Sequence, residues 1–167
     1  MVIAAEGGQN GGPPPALLDA LGGRWRALAA SASGRVLELP AAGVGEAVRS
    51  ECSRGARYDT ILSFMRTPQV ADLDNFVAAL ELILAGEGWI LMMEPSGSGN
   101  GERRVRLPFG LGRRRTGRDQ PERDVVSALR AGGFTVADLH RRELVSGPAR
   151  WRRYVEIRAR RETPAQT

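Results

Sequence analysis

The sequence has one cysteine, one histidine and no lysine among its 167 residues. A lone Cys52 excludes an internal disulfide and any multi-cysteine zinc or iron–sulfur site within one chain, and it fits a reducing cytoplasm. No metal site is expected. Aromatic residues are only 5% of the chain, too few for a protein that works by stacking on nucleic-acid bases. No apolar run approaches the roughly 20 residues needed to cross a bilayer. Residues 1–15 lack the positive start and apolar centre of an export signal, so a soluble cytoplasmic protein away from membranes is expected.

All 24 basic residues are arginine, against 19 acidic ones, for a net charge of +5 and a pI near 10.8. Arginine's planar fork suits carboxylates and phosphates. The exclusion of lysine is also what a GC-rich coding bias produces, so charge alone identifies no partner. At 42% hydrophobic content, one domain can bury enough apolar surface to offset its ordering entropy. The Gly- and Pro-rich residues 1–15 read as a flexible leader, 16–160 as one α/β domain and 161–167 as a disordered tail.

Leu17, Leu18, Leu21, Trp25 and Leu28 recur at helical spacing over 16–31, with Gly22 and Gly23 weakening the middle. RVLEL at 35–39 reads as a strand closed by Pro40, followed by a glycine-bearing turn and a helix over 44–54. YDTILSFM at 58–65 is apolar on both sides, as in a buried parallel sheet. Val70, Leu73, Val77, Leu80 and Leu84 predict a helix over 70–86, stopped at Gly86, and WILMM at 89–93 a third strand. Residues 96–118 read as an exposed arginine-rich loop. A helix over 121–131 begins at Pro121, and strands at 134–145 and 151–159 pair as a hairpin through Ser146, Gly147 and Pro148.

Several of these segments resemble motifs of the class I S-adenosylmethionine-dependent methyltransferases, in the family's order over about 34–160. GRVLELPAAGVG resembles the first motif, YDTILSF the central strand, and LELILAGEGWILMMEP the helix, glycine turn and fifth strand. ALRAGGFTVADLHRREL and RYVEIRARR resemble the last helix and final two strands. The twelve residues between Gly45 and Tyr58 hold one helix and no strands, so the family's second and third strands have no place. The resemblance therefore implies a reduced Rossmann-like methyltransferase fold: a mostly parallel sheet of about five strands, in the family's numbering 1-4-5-7-6, with an antiparallel C-terminal hairpin.

What the resemblance implies for function is methyl transfer from S-adenosylmethionine to a small molecule, with the cofactor held by Glu38, Ala42, Gly43 and Gly45. The family's Gly-x-Gly-x-Gly falls on 41–45 or, keeping Glu38 in register, on 40–44, and neither alignment keeps every glycine. A side chain there blocks close approach of a ligand to the backbone, and the ribose-holding acid belongs to a missing strand. Cofactor binding is therefore expected to be impaired. A non-catalytic scaffold or partner subunit is the alternative reading, and a nucleic-acid module acting through the arginine loop, which is not expected, the third.

Substrate contacts fall to Glu94, at a strand end where open α/β sheets place ligands, and to Arg103, Arg104 and Arg113 in the loop. No catalytic residue is assigned. His140 reads as an exposed edge residue, Asp59 as a turn or cap residue and Cys52 as a small half-buried side chain. All three crossover helices should lie on one face of the sheet, leaving the helix at 16–31 to cover the other. From that imbalance a homo-oligomer or a protein partner is expected to cover residual apolar surface.

Overall fold

The computed structural model describes residues 13–96, 124–147 and 149–162. The chain runs α1 (Pro15–Ala29), β1 (Val36–Glu38), α2 (Val44–Ser53), β2 (Tyr58–Phe64), a 3-10 turn (Thr67–Gln69), α3 (Leu73–Ile83) and β3 (Leu84–Pro95). After the undescribed stretch come α4 (Val125–Ala131), β4 (Phe134–Glu143), α5 (Ala149–Arg152) and β5 (Arg153–Arg161). Of the expected leader, tail and arginine loop, residues 1–12, 163–167 and 97–118 lie outside the described residues, as do 119–123 and Pro148.

The sheet order is β1-β2-β3-β5-β4, parallel across the first three strands and antiparallel thereafter. The numerals differ from 1-4-5-7-6 because the family's numbering reserves places for two strands not found among the described residues. With those two left out, the neighbours are the same.

Two core clusters show how the layers are arranged. Val44 and Val48 of α2, Val77 and Leu80 of α3, and Val126 and Leu129 of α4 pack with Ile61, Ile90, Met92 and Ile157. Leu17, Leu21 and Trp25 of α1 pack with Leu62, Leu91, Met93 and, from α5, Trp151. Successive strand residues point to opposite faces, so Ile61 and Leu62, or Ile90 and Leu91, divide between the clusters. Three helices thus share one face, as right-handed crossovers all moving the same way require, and α1 lies on the other.

On the second face, α1 and α5 cover the apolar parts of β2 and β3. Trp25 stacks on Phe64 with ring centroids 5.0 Å apart, and Leu62, Leu91 and Met93 are buried. Beyond β3 the same face is polar: Arg24 of α1 bonds Glu156 of β5 at 2.7 Å, and Arg158 lies over the Trp89 ring at 5.0 Å. Among the described residues the exposed large apolar side chains are Val36 of β1, Leu82 of α3 and Val145 beyond β4.

Several boundaries differ from the sequence reading. α3 begins at Leu73, capped by Asp72, whose carboxylate accepts from Asn75 N at 3.1 Å. It ends at Ile83 rather than Gly86, because Leu84 is already extended and pairs with Tyr58. The third strand therefore begins five residues before Trp89, and the register shift between Tyr58 and Thr60 absorbs the intervening glycine-bearing stretch. Trp151 belongs to α5 rather than a strand, where it fills the second core, and β5 runs on to Arg161. α4 starts at Val125, with Asp124 accepting from Val126 N at 3.1 Å, and Pro121 is outside the described residues.

If α1 is an integral cover, Leu21→Ala should destabilise the chain by about 2–5 kcal/mol, because Leu21 is fully buried. Equilibrium urea unfolding measures this. A loss below about 1 kcal/mol would mean that α1 packs only loosely on the sheet.

Candidate functional site

The parallel strands β1, β2 and β3 all end on one side of the molecule, and open α/β sheets bind ligands outside such ends. There a cleft of ≈ 600 Å³ opens between the N-terminal turns of α2 and α3. That volume is within the range of small-molecule sites. Gly43, Val44, Gly45 and Glu46 form one wall, and Gln69 to Asp72 with Asn75 and Phe76 form the other.

Gly43 is the N-cap of α2 and takes φ +68°, a left-handed conformation that glycine adopts without steric cost. No side chain caps α2, whose first bond after the turn is from Ala47 N to Gly43 O. The first amides of the helix therefore have no side-chain acceptor, and Arg49 follows on the same helix beside the cleft. In the opposite wall, Asp72 is committed to Asn75, whose side-chain amide also donates to it at 2.7 Å.

The expected cofactor residues divide. Gly43 and Gly45 line the cleft; Glu38 and Ala42 are exposed and do not. The cause is the direction of the first crossover, which carries α2 onto the face shared with α3. Arg103, Arg104 and Arg113 are outside the described residues. Sequence reasoning missed Gln69, Asp72 and Asn75, which lie ahead of or at the start of α3, where only helix periodicity was scored.

Glu94 does not present a free carboxylate to a substrate. It is fully buried, and its oxygens accept from Ser63 Oγ at 2.5 Å, Arg66 N at 3.1 Å, and Thr67 N and Oγ1 at 2.9 Å each. Burial pushes its pKa above the ordinary carboxylate value, against the pull of those four donors. Two of them are hydroxyls, which can turn to accept a proton, while the two amides are fixed donors.

The other singled-out residues are structural in their contacts. Asp59 accepts from Arg35 N at 2.7 Å, tying the start of β1 to β2, and a side chain on Gly34, at φ +69°, would collide with that carboxylate. The Cys52 thiol donates to Ala79 O at 3.5 Å between α2 and α3. His140 is exposed on β4 and borders a second, shallower cleft of ≈ 510 Å³ under α1, whose carboxylates Asp138 and Glu156 are paired with arginines. Among the described residues no three His, Cys, Asp or Glu side chains gather as a metal site, and no helix is long and apolar enough to cross a membrane.

Solved structures share this architecture. The N-methyltransferase NodS from Bradyrhizobium japonicum WM9 superposes with a TM-score of 0.50 at 14% identity, over 89% of this chain and 98% of that one. The chain has a class I methyltransferase-like fold. M1.HpyAVI in its complex with SAM matches with a TM-score of 0.41 at 11% identity over 76% of this chain, and SMU.776 complexed with SAH with 0.43 at 12% over 85%. The chain spans 55% and 49% of those two structures. No known family's sequence profile matches the chain, and no curated protein does.

Because burial raises the Glu94 pKa, the folded state holds a proton that the unfolded chain releases at lower pH. The stabilisation from this group is therefore complete below the unfolded value and is lost as pH rises through the folded one. Urea unfolding of the wild type and Glu94→Gln across pH 4 to 8 should show the wild type losing ground to the variant as pH increases. A constant difference, or one of opposite slope, would mean that Glu94 is ionised throughout.

Proposed function

We propose that this chain is a methyltransferase-like protein that keeps a small-molecule cleft at the ends of its parallel strands but holds S-adenosylmethionine weakly. The observation that carries this reading is the position of β1 at the sheet edge among the described residues. In the family a further strand beside β1 supplies the acid for the cofactor's ribose. Here that neighbour is missing, and α2 has moved to the face of α3.

The residues present do not fit the cofactor as the family holds it. Glu38 and Ala42 lie away from the cleft, and the acid nearest the opposite wall, Asp72, is occupied by its own helix cap. What the cleft does offer is backbone at Gly43 and Gly45, the charged side chains of Glu46 and Arg49, the amide side chains of Gln69 and Asn75, and the apolar surface of Val44, Val70 and Phe76. That combination favours a small ligand with one polar end over an extended nucleoside. The name of NodS supports methyl transfer only through likeness of fold.

The same observation supports a second reading, a non-catalytic scaffold or partner subunit descended from a methyltransferase. The two differ in whether any cofactor affinity survives. Loss of a charge-assisted ribose contact costs on the order of 2–3 kcal/mol, about a hundredfold in affinity. Calorimetric titration of the purified chain with S-adenosylmethionine should therefore give a dissociation constant of about 100 μM or weaker. Complete absence of binding favours the scaffold, and micromolar binding would overturn the claim of an impaired site.

A further inference from the structure

One turn joins three strand ends. β2 stops at Phe64, and the next residue, Met65, is fully buried at φ +55°, a left-handed conformation that costs energy for a residue with a Cβ. The surrounding structure must hold it there. Glu94, at the end of β3, does so from the neighbouring strand, accepting from Ser63 just before Met65 and from Arg66 and Thr67 just after it. Met65 N in turn donates to Met93 O at 2.8 Å.

From this turn, contacts lead to both walls of the α2–α3 cleft. The Arg66 guanidinium Nε donates to the Leu39 carbonyl at 3.3 Å, at the last residue before the 40–43 turn that opens α2. Thr67 begins the 3-10 turn Thr67–Gln69, which leads through Val70 and Ala71 to Asp72, the N-cap of α3. One wall is thus tied through Arg66 and the other through Thr67. The carboxyl group that anchors both is sealed from solvent and is not part of the lining.

We propose that Glu94 is a positioning residue for this cleft: by clamping the 65–67 turn it fixes the separation of the two walls and so the cleft's affinity for its ligand. The proposal rests on the α2–α3 cleft being the ligand site. A buried acid with a merely structural role would lower global stability without acting selectively on the two walls. The clamp, by contrast, acts through particular donors that can be removed and restored singly.

The test uses the full chain and five forms: wild type, Glu94→Gln, Thr67→Ala, Thr67→Ser and, as a destabilised control at the opposite end of the parallel strands, Gly34→Ala, whose new side chain would collide with Asp59. Amide hydrogen exchange is read at Arg66, Thr67 and Gln69 and at Ala47, the first bonded amide of α2, and affinity is read from chemical-shift titration with S-adenosylmethionine. Glu94→Gln and Thr67→Ala should accelerate exchange in both walls and weaken binding, each about tenfold or more, with Thr67→Ser restoring both. Gly34→Ala should leave affinity unchanged despite its loss of stability. Unchanged exchange at either wall in Thr67→Ala, or an equal loss of affinity in Gly34→Ala, would overturn the proposal. If the wild type shows no shifts at the cleft, the ligand reading fails, and with it the link to affinity; the exchange measurements still decide whether the clamp holds the walls.

Discussion

The structure depends on the direction in which its parallel strands advance. From β1 the chain moves to β2 and then β3, always the same way across the sheet, and right-handed crossovers then leave α2 and α3 no choice of face. In a doubly wound fold the first crossover goes the opposite way and puts its helix on the other side. The reversal accompanies the loss of the outward strands, since one helix fits between Gly45 and Tyr58 and no further strand. The glycine turn is kept in sequence but redirected in space, which is why Gly43 and Gly45 meet the start of α3.

A sheet covered by three helices on one side and one long helix on the other has to solve an imbalance. It does so by changing composition across the second face. Over β2 and β3 that face is apolar, and α1 with Trp151 of α5 covers it. Over β5 it is charged, with Glu156 accepting from Arg24 and facing Arg142 at 3.9 Å, and with Arg158 bridging the Trp89 ring and Asp138. Arginine can do both tasks because its guanidinium stacks as well as pairs. Among the described residues, charged pairs therefore occupy the part of the second face that lies over β5.

Much of this fold could be read from the chain because its parallel strands are buried on both sides and appear as continuous apolar runs. The failures lie where a local signal competed with a tertiary one. Gly86 reads as a helix stop, yet pairing of Leu84 with Tyr58 starts the strand earlier. Trp151 reads as a strand residue because it is aromatic, but the second core needs its bulk in α5. Glu94 stood out as a polar residue ending an apolar strand, whereas its task did not. Ser63 and Thr67 are 31 and 27 residues away, and only the parallel register of β2 and β3 brings them to it. The alternation of Glu156, Arg158 and Arg160 along β5 marks one of its faces as polar, a pattern legible in the chain itself.

The central claim, that α2 shares a face with α3 and so redirects the glycine turn, can be tested without any ligand. Nuclear Overhauser contacts from α2 report directly on which side of the sheet it lies. With the Cys52 thiol 3.5 Å from the Ala79 carbonyl, protons of Cys52 should give contacts to Ala79, and the Val48 methyls should give contacts to α3. Contacts from Val48 to Leu21 or the Trp25 indole, with none to α3, would place α2 beside α1 and contradict the account.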